Sequence, residues 1–243
     1  MPDAVLQVSN VTAGYVPDLP ILRDVSMQAR RGSVTVIIGP NGAGKSTLIK
    51  AVAGIVPVSS GRVEMDGKDI TNIRPDRMAS HGIAYVPQTD NIFRTLTVRQ
   101  NLALSLSRSP ASAERLQALL DQFPVLAEKL ETKAGALSGG QRQFLAVAMA
   151  LATEPRLLLM DEPSAGLSPK AAQEVLEQAR ALTEKGVTIF LVEQNVNQAL
   201  RLADHCYILA EGRNQIDGAA SDLLGNSAVA DIYLSGKRLR AGA

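Results

Sequence analysis

The fold is decided by a nine-residue stretch, GPNGAGKST, at positions 39–47. It fits the pattern G-x-x-x-x-G-K-[ST], in which glycines allow successive backbone N–H groups to point inward at a phosphate. The β-branched run 33–38 before it predicts a buried strand, and 45–53 after it predicts a helix whose N-terminus adds a positive dipole end. The stretch therefore predicts a phosphate-binding loop rather than an accidental glycine-rich turn.

Each residue of this loop has a predicted role toward ATP. Lys45 contacts the β- and γ-phosphates as a point charge, the Ser46 hydroxyl ligates Mg²⁺, and Thr47 contacts the region of the α-phosphate. The backbone cradle consists of the other six residues, Gly39, Pro40, Asn41, Gly42, Ala43 and Gly44. We therefore expect ATP and Mg²⁺ to bind here.

A second motif, LLLMDE at 157–162, is an apolar strand that ends in two acids. Taken alone, such a pair is most simply a solvated strand end. In an open α/β sheet, however, ligands bind beyond the carboxyl ends of the strands, which places both acids beside the phosphate loop. We expect Asp161 to hold Mg²⁺ through water and Glu162 to act as the general base that activates the attacking water.

A third motif, LSGGQ at 137–141, begins a helical pattern. Ser138 is a candidate N-cap, and Gly139 and Gly140 leave backbone N–H groups accessible to an anion. In isolation these residues, with Gln141, would be an ordinary capped helix start. Their place in the order phosphate loop, Gln88, LSGGQ, acid pair favours a functional role.

The remaining pattern alternates strands with helices, which predicts an α/β fold: a P-loop NTPase core with a mostly parallel sheet, an N-terminal antiparallel β part and an inserted helical subdomain. We expect a single domain over 1–243, with the core at 1–88 and 156–243 and the helical subdomain at 89–155. The predicted strands are 4–8, 25–29, 33–38, 62–65, 83–86, 156–160, 187–192, 205–209 and 215–216. The predicted helices are 45–53, 98–106, 113–122, 125–130, 141–152, 170–185 and 195–202, followed by a short helical tail.

Charge, cysteine content and hydropathy indicate which partners and which cellular compartment to expect. The net charge is +1, and the basic cluster Lys237, Arg238 and Arg240 resembles a solvated tail, so we expect no nucleic-acid partner. Cys206 is the only cysteine, which suits a reducing compartment. No secretory start or run of about 18 apolar residues is present. We therefore expect a cytosolic chain that docks onto membrane-spanning subunits.

The motif set GPNGAGKST, Gln88, LSGGQ, LLLMDEPSAGL and a switch position at Gln194 resembles the nucleotide-binding domains of ABC transporters. The resemblance implies that Tyr15 stacks on adenine and that Gln88 links Mg²⁺, the attacking water and the helical insertion. It also implies a head-to-tail dimer, with a paralogue or a second copy, in which LSGGQ of one subunit closes over ATP held by the other.

Two positions depart from the general family pattern. Ser168 stands where an Asp is usual, and Gln194 stands where a His contacts the γ-phosphate; a Gln can still donate a hydrogen bond but cannot titrate. Phrases such as LVEQNVNQAL and IYLSG are similar to one branch, the ATPases of bacterial importers for branched-chain amino acids, with amide and urea relatives. The alternatives are a non-transport ABC ATPase acting on nucleic acid or ribosomes and a phosphotransferase.

The branch resemblance implies further partners: integral membrane permease subunits and, indirectly, a periplasmic or extracellular solute-binding protein. It places the chain on the cytoplasmic face of the cell membrane. We expect the permease to dock on Asp90–Asn101, with Ile92, Phe93 and Leu96 as apolar contacts. Packing of these three side chains inside the helical insertion is an equal alternative.

Overall fold

The strand before the phosphate loop lies in the interior of a six-stranded sheet. The computed structural model describes residues 4–107, 112–226, 228–229 and 232–233. Its strands are β1 (Ala4–Ala13), β2 (Leu22–Arg30), β3 (Val34–Ile38), β4 (Val58–Met65), β5 (Lys68–Asp69), β6 (Ile83–Val86), β7 (Leu157–Asp161), β8 (Thr188–Val192), β9 (His205–Ala210) and β10 (Arg213–Ala219). Its α-helices are α1 (Lys45–Val52), α2 (Val98–Leu106), α3 (Ser112–Gln122), α4 (Pro124–Ala127), α5 (Gly139–Leu151), α6 (Pro169–Glu184), α7 (Val196–Leu202) and α8 (Ala220–Leu223).

The large sheet has the strand order β10-β9-β3-β8-β7-β6, and only the edge pair β10–β9 is antiparallel. Every residue of β3, β7 and β8 is buried, as continuous apolar runs require when helices cover both faces of a parallel sheet. The prediction of an α/β fold with a mostly parallel sheet is confirmed.

A second sheet forms the predicted N-terminal β part. Its four strands are antiparallel in the order β2-β1-β4-β5. β1 is longer than predicted because it pairs on both edges, and register shifts near Asn10, whose φ is 50°, let it bend. This sheet buries its apolar side chains against α1 and one face of the six-stranded sheet.

The two faces of the six-stranded sheet belong to two separate cores. Leu157 and Leu159 of β7 point into the core shared with α1 and the antiparallel sheet. Leu158 and Met160 point into the other core, which is covered by α5, α6, α7 and the helical segment before β7. This period-two alternation anchors β7 from both sides and fixes the direction of the acids at its end.

The segment between β6 and β7 is helical, as predicted, but one helix is shorter. The helix predicted at 125–130 ends at Ala127, where the N–H of Lys129 donates to the carbonyl three residues back, that of Leu126, and the i to i−4 pattern stops. Beyond this turn the carbonyls of Leu130 and Thr132 accept hydrogen bonds from the N–H groups of Arg99 and Val98 at the start of α2. α5 begins at Gly139 rather than at 141, so both glycines lie in its first turn. None of the helices in the described ranges combines the length and apolar character needed to span a bilayer.

Candidate active site at the carboxyl edge of the sheet

The strand order brings three separate loops together around one carboxylate. Gln88 follows β6, Glu162 follows β7, and Gln194 follows β8, and these three parallel strands are neighbours with β7 in the middle. The carboxyl ends of parallel strands meet at one edge of the sheet, which is where open α/β folds bind ligands. Glu162 is thus flanked by an amide side chain on each side.

The hydrogen bonds at Glu162 follow from this arrangement. Gln88 Nε2 donates to Glu162 Oε2 at 2.7 Å, and Gln194 Nε2 donates to the same oxygen at 2.6 Å. The backbone of Glu162 is left-handed, with φ of 48°, and its N–H donates to the carbonyl of Val192. Such a conformation is costly for a residue other than glycine and tends to occur at functional sites. It turns the chain sharply at the point where the strand ends.

Asp161 faces the phosphate loop. Its Oδ1 accepts a hydrogen bond from Ser46 Oγ at 2.9 Å, and its Oδ2 accepts one from the Tyr85 hydroxyl at 3.4 Å. Burial raises the pKa of Asp161, and the hydrogen bond from Ser46 opposes this rise. Tyr85 was not predicted to belong to the site, because its position inside β6 reads as an ordinary strand aromatic.

The side chains near Asp161 suit a magnesium ion. A hydroxyl and a carboxylate within hydrogen-bonding distance of each other are hard oxygen donors of the kind Mg²⁺ prefers. The described residues contain no cluster of three or more His, Cys, Asp or Glu arranged to hold a metal unaided.

Lys45 is almost fully buried, with 4% of its surface exposed. Its ammonium donates to the carbonyl oxygens of Gly39 at 2.9 Å and Pro40 at 3.1 Å. An ammonium has three N–H donors, so these two bonds leave one for a phosphate oxygen. Burial lowers the pKa of Lys45, and the nearby carboxylates, Glu162 foremost, oppose that shift.

The loop itself encloses a cavity of about 310 Å³, lined by Ile21, Glu162 and the loop residues 41–47. Gly42 and Gly44 have φ of 79° and 98°, the left-handed conformation that turns successive N–H groups to one side. Leu48 N–H continues the helix by donating to the Gly44 carbonyl. Backbone donors and a helix N-terminus thus converge on one cavity, which is the arrangement that binds phosphates.

The LSGGQ residues lie elsewhere. Ser138 and Gln141 form a reciprocal capping box at the start of α5. A Cβ on Gly139 would approach Leu167 Cδ2 to 2.8 Å, and one on Gly140 would approach Ala171 Cβ to 3.2 Å. The two glycines therefore let α5 pack closely on the start of α6. The residues that line the phosphate-loop cavity do not include any of the four, Ser138, Gly139, Gly140 and Gln141.

Tyr15 lies in the turn between β1 and β2, and 54% of its surface is exposed. Ile21, at the other end of the same turn, lines the phosphate-loop cavity. An exposed ring at this position is available for stacking.

Glu193 is the main site residue that sequence reasoning missed. It is 1% exposed, and its carboxylate accepts hydrogen bonds from Ser164 N–H (3.0 Å), Ser164 Oγ (2.8 Å) and Gln194 N–H (3.2 Å). Burial raises the pKa of Glu193, and the bonds from Ser164 and Gln194 oppose the rise. Glu193 joins the loop after Glu162 to the loop that carries Gln194. The only sequence signal was its place next to Gln194.

A phosphate cradle, a buried lysine and two acids at the carboxyl edge of a parallel sheet define a nucleotide-hydrolysing enzyme of the phosphate-loop class. The family model described as ABC transporter matches residues 22–165, which is more than half of the chain. The chain therefore belongs to the ABC transporter family, as an ATP-binding subunit whose ATPase activity is coupled to transport. This favours transport over action on nucleic acid or ribosomes.

Individual relatives resemble nearly the whole chain. The probable branched-chain amino acid transport ATP-binding protein LivF of Archaeoglobus fulgidus is 44% identical over 90% of this chain and 94% of its own length. The high-affinity branched-chain amino acid transport ATP-binding protein BraG of Pseudomonas aeruginosa is 40% identical over 91% and 96%. A crystal structure of the ADP conformation of an ATP-binding cassette from an ABC transporter superposes with a TM-score of 0.86 at 31% identity, covering 95% of this chain and 98% of that one.

Proposed function

We propose that the chain hydrolyses ATP with Glu162 as general base, at the site bounded by the phosphate loop. The observation that carries this proposal is that Glu162 Oε2 accepts hydrogen bonds from both Gln88 and Gln194. Two donors on one oxygen fix the orientation of the carboxylate and leave Oε1 for the attacking water. A positioned carboxylate of this kind contributes about 10²- to 10⁴-fold to a rate by taking the proton from water.

In this proposal the residues of the phosphate loop contact different parts of ATP. Backbone N–H groups in the part of the loop that lines the cavity, residues 41–44, surround the phosphates, and Gly39 and Pro40 hold that part of the cradle in place. Lys45 contacts the β- and γ-phosphates, and Thr47 contacts the region of the α-phosphate. Tyr15 stacks on adenine, which in nucleic-acid complexes is worth about 1–3 kcal/mol per base.

Ser46, Asp161 through water, and Gln88 would hold Mg²⁺. Gln88 directs Nε2 at Glu162, so its Oε1 can face the metal. When bound, Mg²⁺ would neutralise charge that develops on the phosphates.

The general-base role is tested by the change Glu162→Gln. We expect the variant to bind ATP while its kcat falls about 10²- to 10⁴-fold, because an amide cannot accept the proton from water. Phosphate release measures kcat, and calorimetry measures binding. The matched control is Glu184→Gln, the same chemical change at an exposed position near the end of α6. Normal turnover of Glu162→Gln would disprove the assignment.

A second ATPase subunit, either a paralogue or another copy, completes the site in this proposal. Ser138, Gly139, Gly140 and Gln141 are available for this because they lie outside the phosphate-loop cavity of their own subunit. Ser138 is exposed, and its capping box presents the N-terminus of α5 to an anion. They would close over ATP held on the partner, in a head-to-tail dimer.

The chain divides, in this proposal, into a core at 1–88 and 156–243 and a helical subdomain at 89–155 that transmits motion to the permease. Of the three apolar residues expected to dock, Phe93 is 54% exposed, whereas Ile92 packs against the core of the helical segment. In this proposal Phe93 is the docking contact, Ile92 packs inside the helical insertion, and half-buried Leu96 remains open to either role. The chain then lies on the cytoplasmic face of the membrane, and the solute-binding protein acts on the opposite face through the permeases.

The solute we propose is a branched-chain amino acid or a related small amino acid or amide. The support is the similarity to LivF and BraG over nine-tenths of the chain. In cells that lack this gene, uptake of labelled leucine, isoleucine and valine should fall and return with the wild-type gene but not with Glu162→Gln. Acetamide and urea are the comparison solutes. Unchanged uptake of all five would overturn the solute assignment and leave the ATPase assignment standing.

A further inference from the structure

A hydrogen bond connects the C-terminal segment to the first residue of the phosphate loop. Gly39 N–H donates to the hydroxyl of Tyr233 at 2.6 Å, across 194 positions of sequence. Near Tyr233 the segment is anchored by Val229 and Ile232, which are 5% and 0% exposed and belong to the core on one face of the six-stranded sheet. The ring of Tyr233 packs on that same core.

Gly39 has little freedom to compensate for the loss of this bond. It is buried, and its φ of 153° is rarely adopted by other residues. A Cβ at this position would lie 2.1 Å from the carbonyl oxygen of Leu209, so β9 presses against the backbone here. Buried backbone N–H groups almost always have a partner, and without Tyr233 Oη this one would have to turn to find another acceptor.

The backbone carbonyl of Gly39 also has a hydrogen-bond partner. Its carbonyl accepts the 2.9 Å hydrogen bond from Lys45 Nζ, the ammonium proposed to contact the phosphates. A rotation of Gly39 to satisfy its N–H would therefore move the anchor of Lys45. The tyrosine hydroxyl, Gly39 and Lys45 form one continuous chain of contacts from the C-terminal segment to the ammonium in the phosphate loop.

We propose that Tyr233 is a positioning residue that sets nucleotide affinity by holding Gly39 in the shape that binds phosphate. The proposal rests on the phosphate-loop site proposed above. Without the hydroxyl, only a fraction of molecules keeps the competent loop, and the apparent affinity falls by that fraction. Saturating ATP returns the molecules to the competent loop, which also restores the anchor of Lys45. The catalytic groups at the ends of β6, β7 and β8 are not in this chain of contacts, so turnover at saturating ATP is maintained.

The experiment is ADP titration by calorimetry on the full chain, together with steady-state ATP hydrolysis. For Tyr233→Phe we expect the ADP Kd and the KM for ATP to rise about fivefold to 150-fold, the effect of leaving one buried amide without its acceptor. We expect kcat to stay within about twofold. Ile232→Ala, which keeps the hydroxyl but loosens its anchor, should raise Kd in the same direction.

The chain contains a matched control. Tyr207 is a buried tyrosine whose hydroxyl also accepts a backbone N–H, that of Gln28 at 3.1 Å, away from the phosphate loop. Tyr207→Phe should lower the thermal unfolding midpoint and leave the ADP Kd unchanged. If it weakens ADP as much as Tyr233→Phe does, the effect is general destabilisation and the proposal is wrong.

The remaining outcomes separate this inference from the site on which it rests. An ADP Kd for Tyr233→Phe within twofold of wild type overturns the role of Tyr233, as does a fall in kcat with KM unchanged. Lys45→Ala serves as the reference in the same titration. If Lys45→Ala binds ADP normally, the phosphate-loop site itself fails; if it weakens ADP while Tyr233→Phe does not, only the present inference fails.

Discussion

The carboxylate of Glu193 is almost completely buried and accepts three hydrogen bonds, so replacing it with glutamine changes both the charge and the hydrogen bonding at one position. The donors are Ser164 N–H, Ser164 Oγ and Gln194 N–H. A glutamine amide has one carbonyl oxygen, and only the serine hydroxyl can reverse its direction to become an acceptor. In either amide orientation, one backbone N–H therefore loses its acceptor.

The expected loss of stability follows from this count. One buried N–H without a partner costs about 1–3 kcal/mol in the free energy of unfolding. Burial disfavours the charged carboxylate, which is why it raises the pKa of Glu193. The neutral amide avoids this cost, so at neutral pH the loss of stability is partly offset. We therefore expect Glu193→Gln to be less stable than wild type.

The pH dependence has a definite sign. A carboxyl whose pKa is raised by folding binds its proton more tightly in the folded state, so its contribution to stability is complete below the unfolded pKa and is lost as pH rises through the folded pKa. Glutamine lacks this dependence. The stability gap between wild type and Glu193→Gln should therefore widen as pH falls through the folded pKa, and below the unfolded pKa it should have grown by about 1.4 kcal/mol for each unit of pKa elevation.

Urea unfolding at pH 4, 5, 6, 7 and 8 measures this gap, with Glu184→Gln as the control for an exposed carboxyl. Because Glu193 also holds the backbone of Gln194, we expect kcat to fall about tenfold or more, as misplacement of a catalytic partner by a fraction of an ångström can do. A stability gap that is constant across the pH range refutes the raised pKa, and an unchanged kcat refutes the positioning role.

Two further perturbations test the nucleotide site. Lys45→Ala removes a charged donor and should weaken ATP binding by about 1.5–3 kcal/mol, measured by calorimetry; unchanged affinity would contradict the role of Lys45. Ser46→Ala removes the hydroxyl that bonds to Asp161, so hydrolysis should require more Mg²⁺ while nucleotide binding in EDTA stays as in wild type. An identical Mg²⁺ titration of hydrolysis for both proteins would exclude Ser46 as a metal ligand.

Local sequence patterns predicted the bounds of helices and strands well where adjacent residues determine those bounds. The bounds of β6 and α2 agree with the predicted ones, because apolar periodicity and a capping Thr97 are properties of adjacent residues. The helix predicted to reach residue 130 failed for the opposite reason. The chain turns out of the helix after Ala127, and its next residues bond through their carbonyls to the start of α2, a partner that lies about thirty residues away.

The sequence by itself determined the phosphate loop, since a cradle of backbone N–H groups depends on the conformations of consecutive residues such as Gly42 to Lys45. Only the tertiary structure decided which side chains meet at Glu162. Gln88 and Gln194 reach it because β6 and β8 flank β7, and strand order is set by packing across the whole sheet. The contacts of Glu193 with Ser164 and of Tyr233 with Gly39 have the same origin, because they join residues that only the fold brings together.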